Sequence, residues 1–138
     1  MGNSIPAAVS DVFMSYPEEA REQLLAVRSL IFKLAAERTE VGPVTEALKW
    51  GEPSYLTEKT KSGSTIRLGW RAKVPQKTGV FLNCNTSLVE SYRELLPDAL
   101  TYVGNREIAL SIDEALPKEA LSLCLSMALT YHLDKRPK

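Results

Sequence analysis

The stretch from Glu46 to Tyr55, which reads EALKWGEPSY, marks a change in the spacing of apolar residues along the chain. Before this stretch they recur every three or four positions, which is the spacing of one helical face. After it they alternate with polar residues, as on a strand. Gly51 and Pro53 lie within the stretch and favour a break between the two patterns. We therefore predict a mixed domain in which helices from the first part of the chain pack on a sheet from the second part.

Three helices are predicted before the break. The first spans about residues 6–16, and the second follows Pro17, which suits the start of a helix because its missing N–H needs no partner there. Pro43 has the same property, so a third, short helix is predicted from Pro43 to the break. Its inward-facing residues would be Val44, Ala47 and Leu48.

Strand patterns dominate the chain after the break. Residues 65–71 and 79–84 both alternate, which predicts two antiparallel strands joined by a loop that contains Pro75. Gly104 and Asn105 lie between two further extended segments and favour a two-residue hairpin turn. The second half of the chain is therefore expected to supply the sheet.

A helix at about residues 88–96 and another from Pro117 onward complete the predicted elements. Together the patterns predict an α+β fold: a mainly antiparallel sheet of about five strands that helices cover on one face. A length of 138 residues is typical of one domain, so residues 1–138 are predicted to form a single domain.

Composition limits the environment and the partners of the protein. Cys84 and Cys124 lie far apart without a CxxC motif, which predicts two reduced, buried thiols in a cytoplasmic protein. No apolar run approaches the roughly 18 residues of a membrane span, so no membrane association is expected. Lys plus Arg balance Asp plus Glu at 17 each, and no recognised binding motif occurs, so nucleic acid is not an expected partner.

Catalytic and cofactor chemistry find little support in the residue spacing. Metal sites need several Cys, His or carboxylate ligands at characteristic intervals, and this chain has one histidine, His132, and scattered acids. Neither cysteine has a recognisable base partner, and no phosphate-binding glycine loop occurs. We therefore predict no catalytic residue, no metal site and no cofactor. The sequence favours a protein that is not an enzyme and leaves catalysis open.

A run of six basic residues without an acidic residue extends from Lys59 to Lys77. If the strand alternation holds, Arg67 and Arg71 project from the same strand face, where their guanidinium groups could bind a carboxylate or a phosphate. The alternative is a solvated hairpin whose lysines protect a sheet edge against pairing with another strand.

The break itself contains a second candidate site. Trp50 and Tyr55 could form the apolar floor of a pocket, which is common ligand-site chemistry. Its polar rim would consist of Lys49 and Glu52. The alternative is structural: Gly51 would end the preceding helix, and Trp50 would fill the seam between helix and sheet.

The run KWG-x-P-x-Y, residues 49–55, resembles the signature of the YdhG-like family, a bacterial domain family of unknown function. The likeness extends over most of the chain and includes the segments IRLGWRAK, TGVFLNCNTSLV and GNRE and a closing helix. The resemblance implies a small α+β domain in the cytoplasm and supplies no established catalytic residue. The family is sometimes described as an iron chaperone, which implies iron or another metal as cargo.

Three functions from different classes remain open for this sequence. The first is a non-catalytic module that binds a small ligand, with an anion favoured, through Lys49, Trp50, Glu52, Tyr55, Arg67 and Arg71. The second is a protein-interaction or self-association domain, with monomer and homodimer both open. The third is the iron or metal carrier that the family resemblance implies.

Overall fold

A six-stranded antiparallel sheet forms the centre of the protein in the computed structural model, which describes residues 4–135. The strands are β1 (Thr45–Lys49), β2 (Glu52–Leu56), β3 (Ile66–Trp70), β4 (Lys77–Leu82), β5 (Thr101–Val103) and β6 (Glu107–Ser111). In space they follow the order β1-β2-β3-β4-β6-β5, so β1 and β5 are the edge strands. The α+β prediction is confirmed, with six strands in place of the expected five.

Five helices occur within residues 4–135. They are α1 (Ala7–Ser15), α2 (Glu18–Ala36), α3 (Leu88–Leu95), α4 (Lys118–Leu129) and α5 (Tyr131–Lys135). The first four confirm the helices predicted at about 6–16, after Pro17, at about 88–96 and from Pro117 onward. None of the helices in this part of the chain has the length and the apolar content needed to cross a membrane.

The core lies between α2 and one face of the sheet. Leu24, Val27 and Ile31 keep helical spacing along α2 and are fully buried. Ile66 and Leu68 of β3 are fully buried on the facing side, and α2 contacts this strand. Burial of side chains of this size contributes about 1.5–3 kcal/mol each. The alternation predicted for this strand therefore sets which face of the sheet carries the core.

The predicted third helix does not form, because Thr45–Lys49 is strand β1. β1 pairs with β2 in an antiparallel register that sets Lys49 opposite Glu52. Trp50 and Gly51 form the two-residue turn between them, with φ angles of 56° and 76°, and positive φ at both positions matches a type I′ turn. A helix of so few residues is unstable alone, whereas the hairpin provides hydrogen-bond partners on β2. Gly51 thus closes a hairpin and does not end a helix.

The hairpin predicted around Gly104 and Asn105 forms between β5 and β6. Its loop has three residues instead of two, because Val103 pairs with Glu107 across residues 104–106. Gly104 has a φ of 60°, which glycine adopts without steric cost. The turn position was therefore correct, and the loop length was wrong.

The two cysteines differ in burial. Cys124 is buried in α4, as predicted, and burial raises the pKa of its thiol to about 12. Cys84 is exposed, which contradicts the prediction. The reason is that β4 ends at Leu82, so the alternation stops before it reaches position 84.

Candidate functional site

The β1–β2 hairpin directs its side chains to opposite faces of the sheet. Glu46 and Tyr55 are paired in the register and project towards the helices. Lys49 and Glu52, also paired, project to the other side, because successive strand residues alternate between faces. We call these the helix face and the open face. The six predicted ligand-binding residues therefore do not line one common pocket.

A buried polar cluster links α2 to the helix face of the hairpin. Arg28 Nε and Nη2 donate to Glu46 Oε2 and Oε1 at 2.5 and 2.7 Å, and the Tyr55 hydroxyl donates to the same Oε2 at 2.8 Å. The Arg28 and Glu46 side chains are only 8% and 4% exposed. Both carboxylate oxygens are therefore engaged with internal donors. We call Arg28, Glu46 and Tyr55 the inner cluster.

Burial and charge shift the pKa values of two members of the inner cluster. Burial, and then the negative charge of Glu46, raise the pKa of the Tyr55 phenol above its ordinary value. The hydrogen bonds that Arg28 donates to Glu46 raise the pKa of the guanidinium group. The Arg28 guanidinium lies 4.8 Å from the centroid of the Phe32 ring, which meets the Tyr55 ring edge-on at 5.9 Å. Tyr55 is thus a core residue and not a wall of an open pocket.

Two ion pairs and one aromatic ring occupy the open face. Arg67 Nη1 lies 2.9 Å from Glu52 Oε1, and Arg71 Nη2 lies 3.1 Å from Glu107 Oε2. Both guanidinium groups lie over the Phe81 ring, at 5.7 and 5.5 Å from its centroid. The prediction that the two arginines share a strand face is confirmed. We call these five residues the outer cluster.

Two glycines make room for the outer cluster. Gly69 and Gly79 are paired on neighbouring strands, and a Cβ at Gly79 would lie 2.6 Å from the Phe81 ring. A Cβ at Gly69 would collide with the Glu52 carboxylate. Ring and carboxylate can therefore lie directly against the sheet. Burial there raises the pKa of the Glu52 carboxyl above its ordinary value, against the opposing charge of Arg67.

The basic segment does not protect a sheet edge. β3 pairs with β2 on one side and with β4 on the other, and β4 pairs in turn with β6. Both strands of this hairpin are therefore interior, and the edge-protection alternative is wrong. Strand order of this kind depends on long-range pairing, which the local pattern does not encode.

A groove with a volume of about 290 Å³ opens beside the turn of the β1–β2 hairpin. Its charged lining residues are Lys49, Arg67 and Arg106, and none of the described residues that line it is a carboxylate. The uncharged lining residues include Trp50, Asn83 and Cys84. We call this space the cationic groove. It combines three of the six predicted ligand-binding residues with one cation that the sequence did not indicate.

Trp50 lies at the turn with 90% of its surface exposed, so the prediction that it fills the seam between helix and sheet is wrong. Its φ of 56° falls in the left-handed region, which costs a residue with a side chain on the order of 1 kcal/mol. Backbone outliers of this kind are common at ligand-binding positions. The turn therefore presents an indole to solvent at the edge of the cationic groove.

Arg106 was missed because its neighbours come from distant parts of the chain. Arg106 lies in the β5–β6 loop, and its position beside β4 depends on the pairing of β4 with β6. A backbone hydrogen bond of 2.7 Å from Leu82 N to Arg106 O fixes that position. The glycine-asparagine turn signal located the loop and carried no information on the strand beside it.

A second cavity, of about 260 Å³, lies near Gln23 and Ser111 and contains none of the predicted ligand-binding residues. Its charged lining residues have both signs and are Lys77, Asp98 and Glu114. Gln23 is already engaged, because its amide donates to the Ser111 carbonyl at 2.8 Å. This cavity lacks the uniform charge that distinguishes the cationic groove.

Metal-ligating residues are scattered over the described part of the chain. No group of three or more His, Cys, Asp and Glu residues between residues 4 and 135 is arranged to hold a metal ion. The metal-carrier alternative therefore has no ligand set among these residues.

Known proteins offer no independent guide to the site. Comparison with protein-family models, with curated proteins and with solved structures gave no match to this chain. The function is therefore inferred from the geometry of the cationic groove and the two clusters.

Proposed function

We propose that this protein is a non-catalytic binding module that holds a small anionic ligand in the cationic groove. The observation that carries the proposal is the charge of the lining, which has three cations and no described carboxylate in a protein of zero formal net charge. An anion in the groove would form charge-assisted hydrogen bonds, which contribute about 1.5–3 kcal/mol each.

Lys49 and Arg106 supply most of the attraction. Neither side chain takes part in a salt bridge with another residue in the described range 4–135. Arg67 is shared with Glu52 at 2.9 Å, which holds its guanidinium in place at the groove wall. An incoming anion would therefore meet two cations that form no salt bridge within the described residues and a third that is already oriented.

The surroundings of Cys84 support binding over catalysis. Its thiol lies in the groove and is exposed, and a nucleophilic cysteine needs a base within hydrogen-bond reach. The groove lining described here contains no histidine and no carboxylate that could serve as that base.

The residues of the family resemblance also contribute to the groove. The run KWG-x-P-x-Y supplies Lys49 and the Trp50-Gly51 turn, so one short motif provides both the hairpin geometry and part of the lining. We include in the proposal that the chain is a cytoplasmic member of the YdhG-like family. The motif residues support this membership.

Thermal unfolding in the presence of pyrophosphate or citrate tests the anion site. A ligand that binds only the folded protein stabilises it by about 2.7 kcal/mol at a hundredfold excess over Kd, which raises the unfolding midpoint. We expect Arg106→Gln to lose most of this ligand-dependent stabilisation. The midpoint of the unliganded variant should change little, because position 106 is exposed.

Lys73→Gln is the matched control, since it removes the same charge from an exposed position of the basic segment outside the groove. Ionic strength is kept constant, because salts also stabilise proteins through general exclusion from the surface. The proposal fails if neither anion stabilises the protein, or if Arg106→Gln and Lys73→Gln reduce the stabilisation equally.

A further inference from the structure

The chain contains two tryptophans, and only one of them makes contacts that stabilise the fold. Trp70 is half-buried, donates from Nε1 to the Pro75 carbonyl at 3.0 Å and contacts the Tyr16 ring at 6.1 Å. Trp50 is exposed, and its indole has neither a hydrogen-bond partner nor a ring contact within residues 4–135. The Trp50 side chain therefore adds nothing to the core.

The backbone at Trp50 also disfavours a large side chain. The first central position of a type I′ turn prefers Asn, Asp or Gly, because φ is positive there. A bulky residue at positive φ is an outlier, and such outliers cluster at ligand-binding sites. The Trp50 indole is exposed and unpartnered, and its backbone conformation is disfavoured. A ligand that covers the indole would explain why a tryptophan occupies this position.

We infer that the anion in the cationic groove carries a single planar, unsaturated ring that stacks on the Trp50 indole. This inference rests on the proposed function. Trp50 lines the same groove as Lys49 and Arg106, so a ring on the indole would place an attached anionic group among the cations. Aromatic faces favour offset stacking, which a flat ring achieves and a puckered ring does not.

The size of the groove suits a ligand with one ring. Its volume of about 290 Å³ is close to the lower limit of about 300 Å³ for small-molecule sites. A single ring with one carboxylate or phosphate group fits such a space. The two anionic groups share the same recognition by Lys49 and Arg106, and matched probes separate them.

Two pairs of probes test the ring. Phenyl phosphate and cyclohexyl phosphate have the same charge and heavy-atom count, and only the first is flat and aromatic. Benzoate and cyclohexanecarboxylate form the corresponding carboxylate pair, and the pair that binds identifies the anionic group. In a Trp70→Phe background, Trp50 is the single tryptophan, and quenching of its selectively excited fluorescence measures binding. We expect the aromatic member to bind about tenfold more tightly.

Two variants separate the ring from the charge. Trp50→Asn, which suits the turn, should abolish the preference for the aromatic probe when binding is measured by calorimetry. Arg106→Gln should weaken both members of a pair by the same factor. Equal affinities within each pair, or a preference that survives Trp50→Asn, overturn the inference and leave the proposed function standing. Failure of all four probes also overturns the inference, and the proposed function falls with it only if pyrophosphate and citrate fail to bind.

Discussion

The inner and outer clusters use the same kinds of side chain on opposite faces of one hairpin. In each, an arginine pairs with a glutamate and lies over an aromatic ring. They differ in burial: Arg28 and Glu46 are 8% and 4% exposed, whereas Arg67 and Glu52 are 23% and 22% exposed. Access of water to the ion pair, and not the chemistry of the pair, distinguishes the two regions.

This difference has a direct energetic consequence. In the inner cluster, water has little access, so removal of one charge leaves the other buried without its opposite charge. On the open face, water and salt screen the ion pairs, and an arginine can exchange one anion for another at small cost. The inner cluster therefore suits a scaffold role, and the outer cluster suits the wall of a ligand site.

The largest effect is expected for Glu46→Ala, which should reduce the free energy of unfolding by about 3–5 kcal/mol. The substitution leaves the Arg28 guanidinium buried without its carboxylate and removes the acceptor of the Tyr55 hydroxyl. Urea unfolding at pH 7 measures the loss. Glu52→Ala is the matched control on the open face of the same hairpin, and there the change should stay below about 1 kcal/mol.

Equal losses in these two variants would show that the two clusters do not differ in their contribution to stability. A double variant, Arg28→Met with Glu46→Leu, tests whether the loss in Glu46→Ala comes from the charge left behind. Because apolar residues of similar size can replace a buried ion pair without net cost, the double variant should be more stable than Glu46→Ala alone. A double variant that is less stable than the unmodified protein would show that the ion pair contributes net stability.

A smaller effect of opposite sign is expected at the turn. Trp50→Asn should increase the free energy of unfolding by about 1 kcal/mol, because asparagine tolerates the positive φ of 56° that tryptophan does not favour. Thermal unfolding measures the gain. Trp50→Ala is the control, since alanine removes the indole and keeps the strain. Destabilisation by Trp50→Asn would instead place Trp50 in the scaffold with the inner cluster.

The smallest effect is a change in the pH dependence of stability in Glu52→Gln. The pKa of Glu52 is raised by burial, so the folded protein binds this proton more tightly than the unfolded chain does. The resulting stability is complete below the ordinary glutamate pKa of about 4.3 and is lost as the pH rises through the raised value. Glutamine stays neutral at every pH.

The Glu52→Gln variant should therefore be slightly more stable than the unmodified protein at pH 7, by less than about 1 kcal/mol, and equally stable near pH 4. Urea unfolding across this range checks the prediction. A variant that is less stable at pH 7 and equal at pH 4 would show that the pair with Arg67 outweighs the burial of Glu52.

The spacing of residues correctly predicted those features that depend on a single helix or strand. The alternation around Arg67 and Arg71 correctly placed both on one face, because side chains on a strand repeat every second residue. The helical spacing before the break likewise predicted α2, in which Leu24, Val27 and Ile31 are fully buried. The helix predicted at Ala47 and Leu48 was wrong. Their spacing fits one face of a short helix and does not reveal the pairing with β2 that determines the structure.

The candidate site was only partly visible in the sequence for a related reason. Lys49, Trp50 and Arg67 were recognised by residue type and do line the cationic groove. Tyr55 was grouped with them because it is close in sequence, yet strand alternation places it on the helix face. The sequence does not indicate Arg106, because it lies 39 positions after Arg67 and only strand pairing brings it to the same groove.

Residue spacing predicts the class of the fold, the helices α1 to α4 and the face from which Arg67 and Arg71 project. These features follow from periodicity, which is a property of neighbouring residues. Residue spacing does not predict that EALK is a strand, that Glu46 is buried against Arg28 or that Trp50 lies exposed beside three cations. Each of these depends on strand pairing and solvent exclusion between distant segments, and such long-range contacts override local preference.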